Sequence, residues 1–202
     1  MGFLLKISHL IDGLNRLVGK SIIWLVLAAA VISAVNAVAR KAFNVGSNAF
    51  LEIQWYLFAA VFMLGAGIVF LQNGHVRIDV LANKIGKRMR TYVDIFGILF
   101  FLLPLCFFMI EFSWPIVQAA YVSGEMSSNA GGLIRWPMYA LVPIGFTLLG
   151  LQALSELFKR IGFLMGLAPD ALMLGGHEAP PQKPSDADHG ANKTNAAGES
   201  QK

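Results

Sequence analysis

Charge is scarce in this sequence, and cysteine scarcer still. Charged residues make up 14% of the 202 positions and hydrophobic residues 56%. A soluble domain carries about 25% charged and about 45–50% apolar residues. Both departures point to a membrane protein. The lone cysteine, Cys106, lies in an apolar run, which excludes an intrachain disulfide framework and a cysteine metal cluster. Catalytic patterns are missing too: no Ser/His/Asp arrangement, no His/Glu metal spacing and no glycine-rich phosphate loop. Gly131-Gly132 reads as a turn, and His177 and His189 are too isolated to hold a metal. No enzyme activity, cofactor or metal is therefore expected. Internal repeats are absent. From Ala168 onward aromatics vanish and Pro, Gly, Ala and Ser dominate, which predicts a disordered cytoplasmic tail.

What the sequence has is long apolar runs. About 20 apolar residues cross about 30 Å of hydrocarbon, and four segments are long enough. They are residues 21–39, closed by Arg40 and Lys41; 49–71; 92–112; and 136–158, closed by Lys159 and Arg160. The third can continue helically to Tyr121, with Pro104 and Pro115 as kinks. Pro137 suits a first helical turn, whereas Pro143 removes a backbone bond inside the fourth span. The predicted fold is an all-α bundle of four transmembrane helices. Its domains are a 1–20 segment, a 21–160 membrane domain and a 161–202 tail.

Lys and Arg set the orientation. The segment before span one, the loop after span two and the end of span four hold ten of them; the opposite side has Arg40, Lys41 and Arg135. That asymmetry predicts both termini in the cytoplasm. Ala37-Val38-Ala39 resembles a signal cleavage site, but the apolar run is too long and two basic residues follow it, so an uncleaved span is expected. Phe3, Ile7, Leu10, Ile11, Leu14, Leu17 and Val18 follow helical spacing, with Lys6, Asp12 and Arg16 in the gaps. They predict an amphipathic helix on the cytoplasmic leaflet. Val76 to Met89 carries a weaker pattern of that kind. Its basic residues favour anionic headgroups, not nucleic acid.

Ionisable residues within spans are functional candidates by default. Glu52 opens span two, Glu111 lies far along span three, and Arg135 opens span four. Counting about 1.5 Å per residue from Tyr92 puts Glu111 near the outer interface with the other two. There they can pair with one another or with a partner subunit. Ala29, Ser33, Asn36 and Ala37 form one small-residue stripe; Ala59, Ala60, Ala66 and Gly67 form another. Such stripes let helices approach closely, within the chain or against another protein. Trp24, Trp114 and Trp136 read as interface anchors; Trp55 is kept as a candidate docking residue.

Span two and its exit carry the most distinctive text. They read Glu52-Ile53-Gln54-Trp55-Tyr56, then Gly65-Ala66, then Asn73-Gly74-His75-Val76-Arg77-Ile78-Asp79. With the run Trp136 to Phe146, this resembles the small permease subunit of TRAP (tripartite ATP-independent periplasmic) transporters, across about residues 10 to 160. Gln54 departs from the family pattern, where a second acidic residue often sits. The resemblance implies a multi-span large permease subunit as partner, and a periplasmic binding protein acting through the complex. It also implies sodium-driven uptake of organic carboxylate anions across the bacterial inner membrane. In that setting the chain is a scaffold. Glu52, Trp55, Gly65, Gly74, His75, Arg77, Asp79, Glu111 and Arg135 become docking or structural residues, and His75 pairs with or caps near Asp79. Two other classes lack their key residue. A self-sufficient proton-coupled carrier needs an acidic residue deep in its first span, and a respiratory membrane anchor needs histidines inside spans.

Overall fold

The computed structural model describes residues 2–43, 47–72 and 87–166. Their regular structure is helical, apart from an isolated β-bridge between Met126 and Ile134. Helix α1 runs Gly2–Phe43 and α2 Asn48–Leu71. Helix α3, Lys87–Gly97, passes through a π-helical turn, Ile98–Leu102, into α4, Leu103–Ser123. Helix α5 is Trp136–Leu164. Four helical runs are long and apolar enough to cross a membrane, with α3, the π turn and α4 counting as one. Gly74, His75, Arg77, Asp79, most of the Val76–Met89 segment and the tail from 168 lie outside the described residues.

Helix α5 is the hub. In its most apolar stretch 44% of residues are buried, against 6–11% in the other three runs. It packs on α4, α2 and α1, and α1 packs in turn on α2. Glycines set these distances. A Cβ added at Gly145 would lie 2.7 Å from the backbone oxygen of Met63, so α5 meets the α2 backbone directly. At Gly19 it would meet Ile68 at 2.8 Å, which brings α1 onto α2. Gly65 faces Ile22 of α1 at an ordinary 3.7 Å. Of the small-residue stripes, Ala29, Asn36 and Gly67 are buried, Ser33, Ala59, Ala60 and Ala66 are half-buried, and Ala37 is exposed.

Outside these contacts the surface is apolar: Trp24, Phe62, Phe101, Phe107 and Phe112 are all exposed. In water such a patch would be an association site; on helices of this length it suits lipid. The buried core sits near one end, where Ile98, Ala153 and Leu157 meet Phe70, Ile95, Leu102, Leu103 and Ile161.

The prolines act locally. Pro104 has no N–H and would crowd the carbonyl of Phe100. The turn just before it is widened to a π-helix, and Leu103 N–H reaches back to the Ile98 carbonyl. Pro115 is accommodated inside α4. Pro143 is buried in α5, and the Thr147 hydroxyl donates to its carbonyl at 2.7 Å.

Helix α1 differs from its expected form. No break separates the first 20 residues from the span that follows. At about 1.5 Å per residue its 42 residues run about 63 Å, twice the hydrocarbon thickness. Leu10, Leu14 and Leu17 do form an exposed apolar face, while the polar face, Ser8, Asp12 and Asn15, turns inward onto α5.

Candidate functional site

Polar chemistry gathers at the two ends of the bundle. At one end the 124–135 loop folds over the start of α2. Gly124 and Gly131 take positive φ, which favours glycine. The loop closes as a small hairpin: Ser127 N–H donates to the Leu133 carbonyl and Arg135 N–H to the Glu125 carbonyl, both at 2.9 Å. Glu52 is the peg on which this loop hangs. One carboxylate oxygen accepts from the Ser127 hydroxyl and from the Asn129 amide at 2.7 Å. The other accepts the Leu133 backbone N–H at 2.7 Å. Two neighbours on the same stripe of α2, at i−4 and i+4, assist. Asn48 donates to the Ala130 carbonyl at 3.2 Å, and the Tyr56 hydroxyl to the Ile134 carbonyl at 3.1 Å.

Glu52 is thus buried at 6% exposure and satisfied by uncharged donors. Arg135 pairs instead with Glu125 at 3.1 Å. The Tyr139 hydroxyl and the Glu125 carboxylate raise the guanidinium pKa further, so Arg135 stays charged. Glu52 and Arg135 do share the wall of a cavity of about 290 Å³, together with Trp55, Tyr56, Met138 and Tyr139. Trp55 stands at its edge, 66% exposed.

Glu111 does not join them. Cys106 of α4 packs against Gly150 of α5, at 3.5 Å from a Cβ built there. The two helices are antiparallel, so five residues on, Glu111 comes level with Gly145, which rests on Met63 of α2. Met63 is eleven residues past Glu52, or about 16 Å at 1.5 Å per residue. Glu111 therefore lies about halfway across a hydrocarbon core of about 30 Å. The expected place at the outer interface does not hold, because α4 runs on past Glu111 to Ser123 and the packing of Cys106 on Gly150 and of Gly145 on Met63 fixes its level. Glu111 is exposed and makes no ion pair among the described residues.

The second polar centre was hidden in the sequence among residues read as span-flanking charges. Asp12 of α1 pairs with Lys159 of α5 at 2.6 Å; Lys159 also meets Glu156 at 2.9 Å. Arg160 reaches Glu156 at 2.5 Å and Asp94 of α3 at 3.3 Å. Neutral groups extend the chain. Gln152 donates to Asp12 at 3.0 Å and accepts from Asn15 at 2.9 Å, and the Ser8 and Ser155 hydroxyls are 2.6 Å apart. Asp12, Glu156 and Arg160 are each at most 6% exposed. Asn15 Oδ1 is buried with no hydrogen-bond partner among the described residues and lies over Gly67, where any side chain would overlap it. The signal for this network was present: Ser8, Asp12 and Asn15 share one helix face, as do Gln152, Ser155, Glu156 and Lys159.

Neither centre has the form of a reaction site. Among the described residues no group of three His, Cys, Asp or Glu is placed to hold a metal ion. Each carboxylate in them is taken up by a donor or cation of the same chain. The fold and these two polar ends define a class: a multi-pass, all-helical membrane protein whose polar groups lock helices and a loop to one another.

Comparison with known proteins narrows that class. Residues 18–162 match the family described as tripartite ATP-independent periplasmic transporters, DctQ component. A protein of Haemophilus influenzae named as a TRAP transporter small permease protein is 31% identical over 112 residues. The match covers 54% of this chain and 65%, just under two thirds, of that relative. The chain belongs to the DctQ family of TRAP small permease subunits and is a transporter component.

Proposed function

We propose that the chain is the fixed scaffold of a TRAP-type secondary transporter in the bacterial inner membrane, with both termini cytoplasmic. A large permease subunit carries substrate and sodium, and a periplasmic binding protein delivers an organic carboxylate anion to the complex. The loop held by Glu52 faces the periplasm, and the Asp12–Lys159 network sits at the cytoplasmic ends of α1 and α5. The carrying observation is what lies between these ends. There α5 meets α2 through Gly145 on the Met63 backbone and meets α4 through Gly150 on Cys106. That is close packing between helices, whereas a carrier places substrate and ion sites near the midplane between repeats.

The Trp55–Tyr56–Arg135–Tyr139 cavity on the periplasmic face offers aromatic surface and a fixed cation to a docking protein. The N-terminal part of α1 continues the line of the span along α5 and turns Leu10, Leu14 and Leu17 outward, toward lipid. Reconstitution tests the division of labour. The chain alone in liposomes takes up no organic acid under a sodium gradient, whereas liposomes holding both permease subunits, with binding protein supplied, do. Sodium-driven uptake by the isolated chain would overturn the scaffold reading.

A further inference from the structure

Glu111 is the one carboxylate of the described spans left facing outward at mid-depth. Its stripe on α4 continues through Phe107, Trp114 and Gln118 to Val122, all exposed. A carboxylate at that depth is costly against lipid, and this element has nothing to neutralise it. From Thr91 to Ile134 the sequence contains no Lys, Arg or His.

We infer that the Phe107–Glu111–Gln118 stripe of α4 docks a transmembrane helix of the large permease subunit. That helix presents a basic or amide side chain to Glu111 and apolar side chains to Phe107, Trp114 and Val122. A second copy of this chain is the wrong occupant. A symmetric contact sets the same patch against itself, so it would place two Glu111 carboxylates in one interface with no cation from this element. The complement has to come from a different chain with a donor at this depth. The inference rests on the proposed assembly with a large permease, and it adds which face of the scaffold is covered and by what chemistry.

The test uses the two permease subunits co-expressed in cells. A photo-crosslinking phenylalanine analogue replaces Trp114 in one variant and Gln118 in another. Glu111→Lys, Glu111→Gln and Glu111→Leu are compared for recovery of the large subunit, with monodispersity of the purified small chain as the folding control. Crosslinks from both positions should enter one helix of the large subunit, next to a Lys, Arg, His, Asn or Gln. Glu111→Lys should lower recovery about tenfold or more, Glu111→Gln much less, since an amide keeps the hydrogen bond. An acidic substitution at the crosslinked donor should restore the Lys variant. Crosslinks that join two copies of this chain, or that reach only lipid while the large subunit still co-purifies, overturn the inference and leave the assembly standing. Failure of the unmodified chain to co-purify overturns both.

Discussion

At the scale of single residues, the structure separates carboxylates that look alike in sequence. Glu52, Glu111 and Glu156 each interrupt or border an apolar run. Glu52 is consumed by a loop, Glu156 by two cations of its own helix, and Glu111 by nothing in the described chain. Replacing Glu52 should therefore act on the loop first. Glu52→Ala leaves the Leu133 N–H and the Asn129 amide without their acceptor. The 124–135 segment should then become protease-sensitive while the helical content stays constant; unchanged protection of the loop would contradict the peg role. Glu52→Gln keeps one acceptor and should fall between. Gly145 has the opposite constraint, since it has no room for any side chain. Gly145→Val must push α5 off the Met63 backbone, an overpacking that costs about 1–3 kcal/mol in a close-packed interior. The expected readout is a lower midpoint of thermal unfolding in detergent, and an unchanged midpoint would argue against the close approach.

The elements repeat this lesson in a form the sequence only half displays. Hydropathy located four spans because apolar length is a local property, and every one of the four found its helix. Where helices end is set by tertiary contacts. Helix α1 continues through the first 20 residues because Ser8, Asp12 and Asn15 are satisfied by α5, and the run of α3 and α4 passes Glu111 to reach Ser123. Asp12 read as a polar residue in the gaps of an amphipathic pattern, since its partners lie 140 or more positions away. Glu156 is different: its cations, Lys159 and Arg160, lie three and four residues on in the same helix, and only its burial depends on the distant α1 and α3. Removing one member of a buried ion pair costs about 3–5 kcal/mol, because the other charge is left buried. Asp12→Ala should free the start of α1 from α5, seen as faster hydrogen exchange at the beginning of α1. In the double mutant with Lys159→Ala the penalty should partly cancel. Strictly additive losses would mean that the 2.6 Å pair is not coupled.

For the molecule as a whole, the question is whether the bundle moves during transport. Its two polar ends fasten different parts: Glu52 holds the loop to α2, and the Asp12–Lys159–Glu156–Arg160–Asp94 chain joins α1, α5 and α3. A fixed scaffold should tolerate a covalent staple across that joint, whereas a subunit that rearranges in each cycle should not. Ser8 and Ser155 offer the place, with hydroxyl oxygens 2.6 Å apart on α1 and α5. Paired cysteines there start from side chains already in contact, as a disulfide requires. The native Cys106 is 3% exposed and sits on α4, away from the pair. Ser8→Cys/Ser155→Cys, oxidised and assembled with the large subunit, should transport within about twofold of its reduced form if α1 and α5 keep a single arrangement. Uptake that collapses on oxidation and returns on reduction would place the moving joint inside this chain, and the scaffold reading would have to be abandoned.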